Sequence, residues 1–116
     1  MHPGLGIEGV DMTYQLAKAI GANVTYGVLV ESATGGGAAD KAGIRGGTSS
    51  AVVEGTTYKI RGDTIVSVNG VKVVDSDALA SYLEEHAIAG QTIQVGIVRS
   101  GAMITVSVVL GSVPSS

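Results

Sequence analysis

The stretch Ile93-Gln94-Val95-Gly96-Ile97-Val98-Arg99-Ser100-Gly101-Ala102-Met103-Ile104-Thr105-Val106-Ser107-Val108 holds two alternating runs on either side of Ser100-Gly101. With those two residues as the loop, Arg99 faces Ala102, Ile97 faces Ile104, Val95 faces Val106 and Ile93 faces Val108. All the apolar pairs then share one face, and a slip of one residue would turn every one of them to the wrong side. The stretch therefore predicts an antiparallel hairpin with one face against a core.

Composition extends that reading to the whole chain. Its 116 residues amount to one domain, and 45% hydrophobic residues exclude a disordered chain. Isoleucine, valine and leucine number 9, 17 and 6, so β-branched side chains, which favour pleated surfaces over helices, dominate the aliphatic set. With no Phe and no Trp, the core is aliphatic. A chain of this size buries roughly two thirds of its unfolded surface, enough for one modest core without staples.

Charge and residue usage narrow the function. The net charge is -3, no Lys/Arg cluster occurs, and four tyrosines are the only aromatic residues. Phosphate neutralisation needs clustered cations and single-strand readers need stacking platforms, so nucleic acid is excluded as a partner. Without cysteine there is no disulfide frame, thiol nucleophile or zinc ribbon. No apolar run approaches the roughly 18 residues that span a bilayer. Met1 to Gly4 has neither a basic nor an apolar leader region, and the abrupt start at a glycine-rich motif reads as a single domain, residues 1–116, cut from a longer protein.

Along the chain, Leu5 to Val10 reads as a short strand, Met12 to Ile20 as a helix stopped by Gly21, and Tyr26 to Glu31 as a buried strand. Ala38 to Ala42 makes one short helical turn ending at Gly43. Ala51 to Glu54 and Tyr58 to Ile60, flanking Gly55-Thr56-Thr57, suggest a hairpin. Asp63 to Val68 alternates as a strand, Asn69-Gly70 is a turn, and Val71 to Val74 continues beyond it. Asp75-Ser76-Asp77 offers N-caps for a helix from about Ser76 to Glu85. The class is α+β: a small antiparallel sheet or partly open barrel capped by two helices.

Several motifs have simpler explanations than the chemistry they suggest. Gly4-Leu5-Gly6-Ile7-Glu8-Gly9 fits G-x-G-x-x-G, with Glu31 about 20 residues on. A dinucleotide fingerprint needs a buried strand before its first glycine, and only Met1-His2-Pro3 precede it. The same glycines can instead aim successive N–H groups at one spot, a nest suited to a small carboxylate. Arg61-Gly62-Asp63 matches an adhesion tripeptide but reads as a loop entering a strand. His2 and His86 lack companions for a metal site, and helix capping accounts for Asp75 and Asp77. No Ser/His/Asp set is placed for nucleophilic work, so no catalytic residue, metal or cofactor is assigned.

Gly4-Leu5-Gly6-Ile7 resembles the carboxylate-binding Gly-Leu-Gly-Phe loop of PDZ domains. Ala42-Gly43-Ile44-Arg45-Gly46-Gly47, followed later by Gly62-Asp63-Thr64-Ile65-Val66-Ser67-Val68-Asn69-Gly70, resembles the PDZ run A-G-L-x-x-G-D-x-I-x-x-V-N-G. The likeness is closest to PDZ domains of HtrA-type (high-temperature-requirement) trypsin-like serine proteases, where the loop opens the domain and a helix precedes the next strand. One departure stands out: Gly47 to Arg61 interrupts a join that in the family runs directly on, and its hairpin could add an edge, touch a neighbouring domain or do nothing.

The resemblance implies a peptide-binding module without catalysis, recruiting substrate or regulating a protease domain of the same chain. Its partners would be C-terminal or unfolded protein segments. A peptide would add as a strand beside Ile7, Glu8, Gly9 and Val10, with its carboxylate on the amides of Leu5, Gly6 and Ile7. Its last, apolar side chain would enter a pocket walled by Ser76, Ala80 and Leu83, with Leu79 left to the core and Leu83 in the groove wall, not the core. The resemblance also implies a parent protein outside the cytoplasm: periplasmic, at the cell surface or membrane-anchored. Two alternatives stand beside this one: an assembly domain setting oligomer geometry, and a dinucleotide-binding fragment.

Overall fold

The computed structural model describes residues 3–88 and 90–112. In chain order its elements are β1 (Pro3–Gly4), β2 (Ile7–Asp11), α1 (Tyr14–Ile20), β3 (Val28–Ala33), α2 (Ala38–Ala42), β4 (Ser49–Val53) and β5 (Thr56–Ile60). Then follow β6 (Thr64–Val68), β7 (Val71–Lys72), α3 (Ser76–His86), β8 (Thr92–Arg99), β9 (Ala102–Val109) and β10 (Gly111–Ser112). The predicted hairpin forms in the predicted register, Ile93 opposite Val108 through Arg99 opposite Ala102. Ser100 and Gly101, both at positive φ, make the two-residue turn.

The main sheet runs β2-β3-β6-β8-β9, with β7 beside β6, and every pairing is antiparallel. Among the described residues it stays open, so β2 keeps one unpaired edge. One side carries the larger core, in which Val30, Ile65, Val68, Ile93, Val95 and Ile97 are fully buried against Leu79 and Leu83 of α3. This antiparallel arrangement has none of the parallel βαβ units that a dinucleotide fold requires.

Three element boundaries move for local reasons. The α1 helix begins two residues after Met12, because the Thr13 hydroxyl accepts the Leu16 amide as N-cap while Met12 is buried. The strand expected at Tyr26 to Glu31 slides to Val28–Ala33, since Gly27 turns at positive φ and donates to the Val74 carbonyl. The insertion's turn is Glu54-Gly55, both at positive φ, so Thr56 and Thr57 join the strand. Helix α3 starts at its Asp75 N-cap, whose carboxylate accepts the Ala78 amide at 2.8 Å, and His86 occupies its last turn. His2 lies outside the described residues.

The inserted hairpin, β4 paired with β5, roofs a second, smaller core. Its inward residues Val53, Tyr58 and Ile60 pack on Met12, Leu16, Ala17 and Leu29, while Val52 points to solvent. The insertion thus covers apolar surface that β3 and α1 would otherwise expose. Its base is anchored to β3, where the Glu31 carbonyl accepts the Gly47 amide and the Glu31 carboxylate accepts the Lys59 amide.

Asp63 is 2% exposed and has a saturated carboxylate. It accepts the Arg45 amide at 2.9 Å and two guanidinium N–H groups of Arg99 at 2.9 and 2.7 Å. Arg99 also donates to the Gly43 carbonyl at the end of α2. A buried carboxylate with all its partners inside the fold cannot serve as an adhesion ligand, so Arg61-Gly62-Asp63 is structural.

Replacing Asp63 with Ala should lower unfolding free energy in urea by about 3 kcal/mol, the low end for breaking a buried pair because 27% of the Arg99 side chain remains in solvent. Tyr58→Asp should cost about 2 kcal/mol by placing a charge against the second core, whereas Val52→Asp on the same hairpin's outer face should change stability by less than about 0.5 kcal/mol.

Candidate functional site

A groove of about 490 Å³ opens between the start of β2 and α3, lined by Leu5, Gly6, Ile7, Glu8, Thr34, Ser76, Leu79, Ala80, Leu83 and Glu84. Its upper end is the loop from Leu5 to Ile7. There the carbonyls turn inward: Leu5 O accepts the Ala39 amide at 2.9 Å, and Gly6 O accepts the Thr34 amide at 2.8 Å. Gly6 takes a φ of +71°, which side chains rarely tolerate, to make this turn. Among the described residues neither the Leu5 nor the Gly6 amide has an acceptor. Ile7 lies opposite Ala33, and the Thr34-to-Gly6 bond makes that a non-hydrogen-bonded pair, so the Ile7 amide faces the open edge as well. Unsatisfied donors at one spot form a seat for an anion.

The helix presents its groove face by being fixed elsewhere. Leu79 and Leu83 are 6% and 7% exposed and form an apolar floor continuous with the core, and the Tyr82 hydroxyl accepts from Asn69 on the far side. Ser76, Ala80 and Glu84, one turn apart, are left exposed toward β2. Small Ala80 leaves room above the floor. At the other end, one oxygen of the Asp11 carboxylate accepts both the amide and the hydroxyl of Ser76, at 2.8 and 2.7 Å, tying the end of β2 to the start of α3. These two bonds, the backbone one first, hold the Asp11 carboxyl below its ordinary pKa.

Seven of the nine residues singled out from the sequence therefore meet in one groove: Leu5, Gly6, Ile7, Glu8, Ser76, Ala80 and Leu83. Gly9 and Val10 do not line it. Strand alternation turns Val10 to the face opposite Ile7, where it packs against the second core. The expectation that Leu83 is groove wall and not core is corrected: it is both, buried among core side chains with its edge in the groove. Leu79, assigned to the core, also lines the groove. Glu84 was readable as the next step of the Ser76, Ala80 stripe. Thr34, brought in by the loop before α2, carried no signal in the sequence.

Among the described residues no three His, Asp or Glu side chains gather as a metal site, and no helix is long and apolar enough to cross a membrane.

Comparison with known proteins agrees with this geometry. A family model for the PDZ domain matches residues 3–110. A probable periplasmic serine endoprotease, DegP-like, from Bartonella henselae is 31% identical over 110 residues, covering 95% of this chain and 18% of that protein. The periplasmic serine endoprotease DegP of Salmonella typhimurium is 30% identical over 106 residues, covering 91% and 19%. This chain thus spans about a fifth of the length of these relatives. Among solved structures, the HtrA-type protease AlgW with a decapeptide superimposes with a TM-score of 0.74 at 21% identity, over 99% of this chain and 30% of that one. The HtrA3 PDZ domain bound to a phage-derived ligand (FGRWV) gives 0.66 at 22% identity, over 94% and 88%. These two likenesses are of fold. With the family match spanning nearly all 116 residues, there is no room in this chain for a protease domain; it belongs to the PDZ domain family and is similar to the PDZ domains of HtrA-type serine proteases.

Proposed function

We propose that this domain binds extended peptides by their apolar C-termini and so recruits substrate to, or regulates, an HtrA-type serine protease. One observation carries the reading: among the described residues the unpaired edge of β2 starts beside the Leu5, Gly6 and Ile7 amides, which lack acceptors, and runs beside a groove with an apolar floor. A peptide strand pairing antiparallel to β2 satisfies the edge, and its carboxylate meets the Leu5, Gly6 and Ile7 amides. Its last side chain then descends between Ile7 and Ala80 onto Leu79 and Leu83. The apolar floor supports an apolar terminal residue, since a charged one would be desolvated there without a partner.

The printed names of the relatives support the wider setting. They are periplasmic serine endoproteases, and two similar folds were solved with peptide ligands. That likeness supports a parent protein that works outside the cytoplasm on C-terminal or unfolded segments, with the protease domain in the same chain.

Amidating the C-terminus of a binding peptide removes the charge and leaves every side chain in place. Charge-assisted hydrogen bonds of this kind contribute about 1.5–3 kcal/mol, so affinity measured by fluorescence anisotropy should fall roughly ten- to a hundredfold. Equal affinities for the free acid and the amide would reduce the Leu5–Ile7 loop to a structural turn. Ala80→Trp should fill the space above the floor and weaken binding at least about tenfold, with the unfolding midpoint unchanged because Ala80 is exposed.

A further inference from the structure

The groove is charged on one sign only. Its lining includes Glu8 from β2 and Glu84 from α3, and neither lysine nor arginine. Beyond them Asp11 marks the groove's far end. Ser76 occupies only one of its carboxylate oxygens; among the described residues the other has no partner. Its lowered pKa keeps it ionised. The amide and hydroxyl of Ser76 are both committed to Asp11, which leaves that serine with no free donor for a ligand hydroxyl. A strand lying along β2 from Ile7 to Asp11 passes all three carboxylates within its last few residues, at about 3.4 Å per residue.

We infer that the groove selects peptides with lysine or arginine among the four residues preceding the apolar terminal one. This rests on the peptide-binding reading above and sharpens its ligand class. The terminal carboxylate is held by amides without help from any cation, so the nearby glutamates oppose it. Cationic side chains just upstream offset that repulsion and find the only charged partners the groove offers. The same carboxylates disfavour acidic segments, so discrimination has an attractive and a repulsive part.

Three peptides with one valine terminus and Lys-Lys, Ser-Ser or Glu-Glu at two of the preceding positions test this by anisotropy in 20 mM and 500 mM NaCl. At low salt the lysine peptide should bind at least about fivefold tighter than the glutamate one, with serine between. At high salt the ratio should shrink to under about twofold, because exposed charges are screened there. The exposed double variant Glu8→Lys, Glu84→Lys should invert the order. Equal low-salt affinities across the three peptides, with binding intact, would overturn this inference alone, as would an unchanged order in the double variant. No binding of any of the three would sink the peptide-binding reading and this inference together.

Discussion

The bidentate contact between Asp63 and Arg99 is the constraint on which the rest of the structure depends. Asp63 stands at the entrance of β6, in the middle of the sheet, and Arg99 at the end of the neighbouring β8. Through its backbone Asp63 also accepts the Val30 amide of β3 and donates to the Arg45 carbonyl, and Arg99 holds the last turn of α2 at Gly43. One buried pair therefore fixes three strands and a short helix in relation to each other. The consequence reaches the groove: α2, so held, offers its Ala39 amide to the Leu5 carbonyl, which turns the Gly6 amide the other way. A residue remote from the groove thus sets the geometry of the loop at its upper end.

Much of this was legible in the sequence where local chemistry and tertiary structure agree. The β8–β9 register followed from alternation around Ser100-Gly101, and the α2 and α3 helices from their caps, because each signal is contained within a few residues. The groove residues were legible through the Gly4-Leu5-Gly6-Ile7 motif and the three-and-four spacing of α3. What escaped depends on contacts distant in sequence. Nothing local says that Leu83 serves core and groove at once, or that Asp11 reaches across 65 residues to Ser76. The role of the insertion escaped for the same reason, since its inner face has meaning only against Met12, Leu16 and Leu29.

The two cores divide the labour of the domain. The larger one lies under the groove and supplies its floor, so the core and the groove share Leu79 and Leu83. The smaller one, closed by the inserted hairpin, lies under α1 and shares none of its buried side chains with the groove. Sequence change in the hairpin can therefore alter stability without altering the groove.

The open edge of β2 also has a cost unrelated to ligands. An unpaired strand edge is a template for any other extended chain, including the same edge of a second copy. Here Glu8 and Asp11 put like charges on that edge, so two such edges brought together would repel each other. The edge of β2 is thereby left open to other extended chains while its own charge opposes pairing with a second copy.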